Sequence, residues 1–101
     1  MASTREFFEG LESRVDESKT EGMNNSYVFD IEGAGQWTVR VDDGAVSATE
    51  GAEDADATIS ADAETFERIA NGELNATTAY MTGKLKIKGD MGAALKLQKL
   101  F

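Results

Sequence analysis

The sequence contains no cysteine, no histidine and no proline. Without cysteine there is no disulfide, thiolate metal ligand or thiol nucleophile, and without histidine the commonest general base and metal ligand are missing. No proline-rich linker divides the chain, and no run approaches the roughly eighteen apolar residues of a membrane-spanning helix. The opening residues, MASTREFFEG, lack the charged and apolar segments of a secretory leader. Residues 1–101 therefore read as one domain, expected in the cytoplasm and expected to need no cofactor. At 101 residues a single core is feasible with little to spare.

Positive charge is also scarce, and what there is lies at one end. Residues 1–83 carry eighteen Asp and Glu against five Lys and Arg, a balance of −13, whereas residues 84–101 carry five Lys against Asp90 alone. The total is −9. Such an acidic surface suits a salt-rich halophile cytoplasm, where repulsion is screened and carboxylates hold water and ions. An ordinary domain that uses net charge for solubility has the same composition.

The pattern that is present changes period along the chain. Ser3 followed by Glu6 is a capping box, and Phe7, Phe8, Leu11 and Val15 share one helical face up to about Thr20-Glu21-Gly22. From Ser26 the period becomes two. Tyr27, Phe29 and Ile31, and then Trp37, Val39 and Val41 after Gly33-Ala34-Gly35, predict two antiparallel strands, with a third at Ala45 to Thr49 beyond Asp43-Gly44. Residues 50–56, EGAEDAD, read as a solvated loop before a fourth strand, Ala57 to Ser60, that continues the meander. Asp62 caps a helix bearing Phe66 and Ile69, Asn75 caps a short helix to Met81, and Lys84 to Lys88 alternate as a fifth strand. Asp90 then caps a helix from Met91 to Phe101. One apolar face per strand predicts an α+β fold: a mostly antiparallel sheet covered by helices on one side.

Within the last helix, Gln98 falls on the apolar face between Met91, Leu95, Leu97 and Phe101. A buried amide must be satisfied, since an unsatisfied one costs about 1–3 kcal/mol. A backbone carbonyl or a water would serve, and so would the polar end of a ligand. The large side chains Phe8, Trp37, Phe66, Met81 and Met91 are equally ambiguous. Their spacing suits a filled core or the wall of a pocket.

The run Gly83-Lys84-Leu85-Lys86-Ile87-Lys88-Gly89-Asp90-Met91-Gly92, followed by Lys96-Leu97-Gln98, resembles the C-terminal signature of the sterol carrier protein type 2 domain, the nonspecific lipid-transfer family. Looser matches follow the same order upstream: Trp37-Thr38-Val39, Ala57-Thr58-Ile59-Ser60, and Asp62 with Phe66 and Asn71-Gly72. The resemblance implies a five-stranded sheet, an apolar tunnel between the layers, and noncatalytic binding of an acyl, isoprenoid or sterol-like lipid. It implies Gln98 as a tunnel-facing polar residue, and Phe8, Leu11, Trp37, Phe66, Met81, Leu85, Ile87, Met91 and Leu95 as wall. The peroxisomal tail of many family members is missing after Phe101, in keeping with the cytoplasmic expectation.

Two other readings compete. Lys84, Lys86 and Lys88 share one strand face, and with Lys96 and Lys99 could dock a filled-core module on an acidic partner or, transiently, on an anionic membrane surface. The same lysines could simply protect a strand edge. An enzyme would need a carboxylate pair or a lysine of shifted pKa, and no spacing marks one. Nucleic acid is a poor partner, because the net charge repels phosphate and no aromatic lies among the lysines. The acidic loop lacks the order of a calcium site, and oligomeric state is unmarked.

Overall fold

The alternating residues of the middle third all turn the same way, onto the covered face of a five-stranded sheet. The computed structural model of the chain describes residues 4–11 and 21–96. In order, its elements are α1 (Thr4–Glu9), β1 (Asn24–Glu32), β2 (Gly35–Asp42), β3 (Ala45–Glu50), β4 (Ala57–Asp62), α2 (Ala63–Ala70), α3 (Ala76–Met81), β5 (Lys86–Gly89) and α4 (Met91–Lys96). The first helix begins where the capping pattern places it. Val15 and the expected continuation to Thr20 lie outside the described residues, as do Leu97 to Phe101.

Side chains of the expected type set the helix starts. Asp62 Oδ1 accepts from the Thr65 N–H at 2.7 Å, and Asn75 Oδ1 from the N–H groups of Thr77 and Thr78 at 2.8 and 3.3 Å. Asp90 Oδ1 does the same for Gly92 and Ala93. Each satisfies donors that a first helical turn leaves unpaired. Hydrogen bonds from the Thr65 side chain and then its N–H hold the Asp62 carboxyl below its ordinary value. At the β2–β3 hairpin, Asp43 and Gly44 adopt φ of 48° and 89°, the positive values that the tight turn demands.

The strand order, β3-β2-β1-β4-β5, departs from the expected meander. β1 with β2, β2 with β3 and β4 with β5 are antiparallel. β4, however, crosses to the far side of β1 and pairs with it in parallel, from Tyr27 opposite Ala57 to Glu32 opposite Asp62. Two physical reasons favour this. Ala57, Ile59 and Ala61 are all buried and suit an interior position, whereas β3 is exposed or half-buried throughout and suits an edge. The chain is also long enough: three strand spacings are about 14 Å, and the steps from Glu50 to Ala57 can reach about 23 Å.

The crossing is made by the expected loop, whose Ala52, Glu53, Asp54 and Asp56 are exposed although its main chain is tied to the sheet; Glu50 belongs to β3. Residues 51–56 form a strap over the sheet face that carries no helix. The Thr38 hydroxyl donates to the Gly51 carbonyl at 2.8 Å and accepts from the Glu53 N–H at 3.0 Å. Arg40 Nη2 reaches Glu53 Oε1 at 3.0 Å and the Asp54 carbonyl at 3.2 Å, and the Asp56 N–H donates to the Ser26 carbonyl. Val28 and Thr38, whose side chains point to this face, are consequently buried.

Gly89 closes the other side. It pairs with Ala57 at φ of 101°, and a side-chain carbon there would stand 2.5 Å from the Asp56 carbonyl oxygen. Only glycine lets β5 come this close.

Candidate functional site

The covered face of the sheet is built in rows. One row runs Trp37, Phe29, Ile59 and Ile87 across β2, β1, β4 and β5. Phe8 lies parallel to Trp37 at 4.8 Å between ring centroids and parallel to Phe66 of α2 at 5.3 Å. Phe29 meets both Phe8 and Phe66 within 6 Å, and Phe7 stands edge-on to Phe66. Offset and edge-on pairs of this kind add about 0.5–1.5 kcal/mol each beyond burial. Arg5 stands over the Trp37 ring and pairs with Glu50, so a cation covers the outer end of the cluster.

The next row is light by comparison. It runs Ala48, Val39, Tyr27, Ala57 and Gly89 from β3 to β5. Buried Ala93 and Ala94 of α4 and buried Ala79 of α3 add only methyl groups to the helical layer. The layer between sheet and helices is thus filled by rings toward α1 and α2 and by smaller side chains toward α4. Tyr27 reaches through this second zone. Its ring is fully buried, and its hydroxyl donates to the Ala93 carbonyl in α4. Burial, with Asp56 and Asp90 adding negative charge nearby, pushes its pKa up to about 12, so the hydroxyl stays protonated.

The residues expected to form a wall separate into three groups. Phe8, Leu11, Trp37, Phe66 and Leu85 are buried in one continuous apolar cluster, with Ile87 packed against it. Met81 and Met91 are on the surface, 79% and 44% exposed, at the end of α3 and the start of α4. The side chain of Leu95 and the whole of Gln98 lie outside the described residues. Tyr27 and Phe29 also belong to the layer; spacing put them on the apolar face of β1 but not among the expected wall residues. The available signal was a phenol on the apolar side of a central strand.

Chemically the layer can bury and hydrogen-bond, and little more. Among the described residues no carboxylate or amine is buried, and the buried polar side chains besides Tyr27 are Thr4, Thr38 and Thr65. No described group of three or more carboxylates stands in a metal-holding arrangement, and no described helix is long and apolar enough to cross a membrane. Two of the lysines at and before β5 keep company with acids. Lys84 and Lys86 line an open cleft of about 620 Å³ together with Asp30, Glu32, Asp62, Glu64 and Arg68.

Comparison with known proteins points one way. A family model described as the SCP-2 sterol transfer family matches residues 6–101. Hydroxysteroid dehydrogenase-like protein 2 of Xenopus tropicalis is 38% identical over 100 residues, which cover 95% of this chain and 24% of that protein. The chain thus spans about a quarter of the curated relatives it matches. Among solved structures, the sterol carrier protein domain 2 of Helicoverpa armigera superposes with a TM-score of 0.72 at 32% identity, over 93% of this chain and 78% of that one. The stereoselective inverting sec-alkylsulfatase of a Pseudomonas species gives 0.82 at 24% identity, over 98% of this chain and 16% of that one, a likeness of fold alone.

Proposed function

The chain belongs to the SCP-2 sterol transfer family, and from that premise we propose that it holds an apolar lipid in a tunnel between its sheet and its helices, without catalysing a reaction on it. The observation that carries this reading is the layer itself: apolar, ringed at one end, lined with alanine and glycine at the other, and without a buried acid or base among the described residues. Phe8, Leu11, Trp37, Phe66, Leu85 and Ile87 form the wall of the tunnel, and Gln98 supplies a polar contact. Burial provides the affinity. At about 0.8 kcal/mol per CH₂, a dozen or so buried methylenes give roughly 10 kcal/mol, and an association cost of at least about 4 kcal/mol leaves binding in the micromolar range or weaker, reversible enough for transfer.

The names of the larger relatives add a role for the whole protein. A domain that is one quarter of a dehydrogenase-like protein presents its lipid to a catalytic unit, in the same chain or in a partner, as well as carrying it. The ligand is acyl, isoprenoid or sterol-like. The alternative, docking on an anionic membrane or acidic partner through the C-terminal lysines, has less support, because four carboxylates share the cleft of Lys84 and Lys86 and offset their field.

Native mass spectrometry of the protein purified from cells, beside organic extraction of the same sample, tests the proposal. A bound lipid at one per chain is the expected result. A bare protein mass, together with failure to take up fluorescent acyl and isoprenoid probes, would rule the reading out.

A further inference from the structure

At the light end of the covered layer, two hydrogen-bonding side chains share one strand. Asn25 and Tyr27 are two residues apart in β1, and so lie on the same face as Phe29 and Ile31. Asn25 Nδ2 donates to Asp56 Oδ2 at 3.5 Å, which fixes the sense of the amide. Its Oδ1 is buried, and no donor among the described residues reaches it. Folded proteins rarely leave a buried acceptor unmatched. Tyr27 gives its proton to the Ala93 carbonyl, so its oxygen too has acceptor capacity to spare. Across the sheet from Tyr27 stand Ala57 and then Gly89, so no bulky side chain of β4 or β5 shares this row with the phenol.

The two charges that act on the phenol are both negative. Asp56 is bonded to Asn25, and Asp90 opens α4; both act electrostatically on Tyr27. Two acceptors in a negative field call for a partner that donates a hydrogen and carries no negative charge. We propose that Asn25 and Tyr27 form a headgroup subsite that accepts a hydrogen bond from a neutral, hydroxyl-headed lipid and discriminates against a carboxylate head. The subsite rests on the lipid reading above and adds the chemistry of the polar end.

The test holds chain length constant. Hexadecanol and palmitate compete against a fluorescent acyl probe at about pH 8, where a carboxyl head is ionised. The expected result is displacement by hexadecanol at about one-tenth of the palmitate concentration, the tenfold that one hydrogen bond and the avoided repulsion give. Asn25→Leu, similar in size and without the acceptor, brings the two ligands to within about twofold, and Tyr27→Phe narrows the gap independently should Asn25→Leu not fold. Equal displacement from the unaltered protein, or a preference that survives both substitutions, would overturn the subsite while leaving lipid binding intact. If neither the probe nor either ligand binds, the lipid reading itself fails and the subsite with it.

Discussion

Tyr27 joins the sheet to the helical layer through one hydroxyl, and its chemistry gives a test at the scale of a single residue. Replacement by Phe keeps the buried ring and removes the bond to the Ala93 carbonyl, for an expected loss of about 1–2 kcal/mol at neutral pH. The folded-state pKa lies near 12 against an ordinary 10.0. Below pH 10.0 both states keep the proton and the contribution is whole; as pH rises from 10.0 to about 12 the unfolded state ionises first and the contribution is lost. Urea unfolding of the two proteins across that window should therefore show their stabilities converging. At this scale the sequence was only half legible. Period two assigned Tyr27 and Phe29 to the apolar face, but spacing cannot tell a buried phenol with a carbonyl partner from one whose hydroxyl reaches solvent, nor reveal that the Asn25 oxygen meets no donor among the described residues.

Elements were easier to read than their neighbours. The caps at Asp62, Asn75 and Asp90 were predictable because a side-chain oxygen bonding N–H groups two or three residues later is a local matter. The place of β4 was not, since alternation fixes which face of a strand is buried and says nothing of which strand lies beside it. The loop of residues 51–56 is exposed, as its acidic composition suggests, but its attachment was not legible for the same reason: its main chain is tied down by Thr38. Thr38→Val removes both bonds of that hydroxyl at a buried position, for an expected cost of about 1–3 kcal/mol. Arg40→Ala breaks the half-exposed pair with Glu53 and should cost below about 1 kcal/mol. Hydrogen exchange at the Glu53 amide should rise sharply in the first variant and little in the second. The reverse order would mean that charge, and not the threonine, holds the strap.

The whole molecule carries a net charge of −9 on a small surface. Self-repulsion of this size is relieved by screening, so the melting temperature should climb by about 5–10 °C between low salt and molar potassium chloride, the shift expected for about 1–2 kcal/mol in a domain of this length. A flat response would leave the salt-rich cytoplasm without support. The architecture was legible as a class, one covered sheet, because each strand has a single apolar face; the path of the chain through that sheet was not. The path has its own consequence during synthesis. Residues 24–50 can form their hairpins as soon as they leave the ribosome, yet β1 then exposes a bare edge and an apolar face that, of the helices described, only α1 is yet made to cover. Its parallel partner is made thirty residues later, Ala57 to Tyr27, and α2 only after that. The nascent chain therefore passes through a stage in which three strands are formed while β1 still lacks its parallel neighbour, when pairing with another nascent copy competes with completion of the fold. The strap is short, and its tie at Thr38 leads β4 to the open edge of β1.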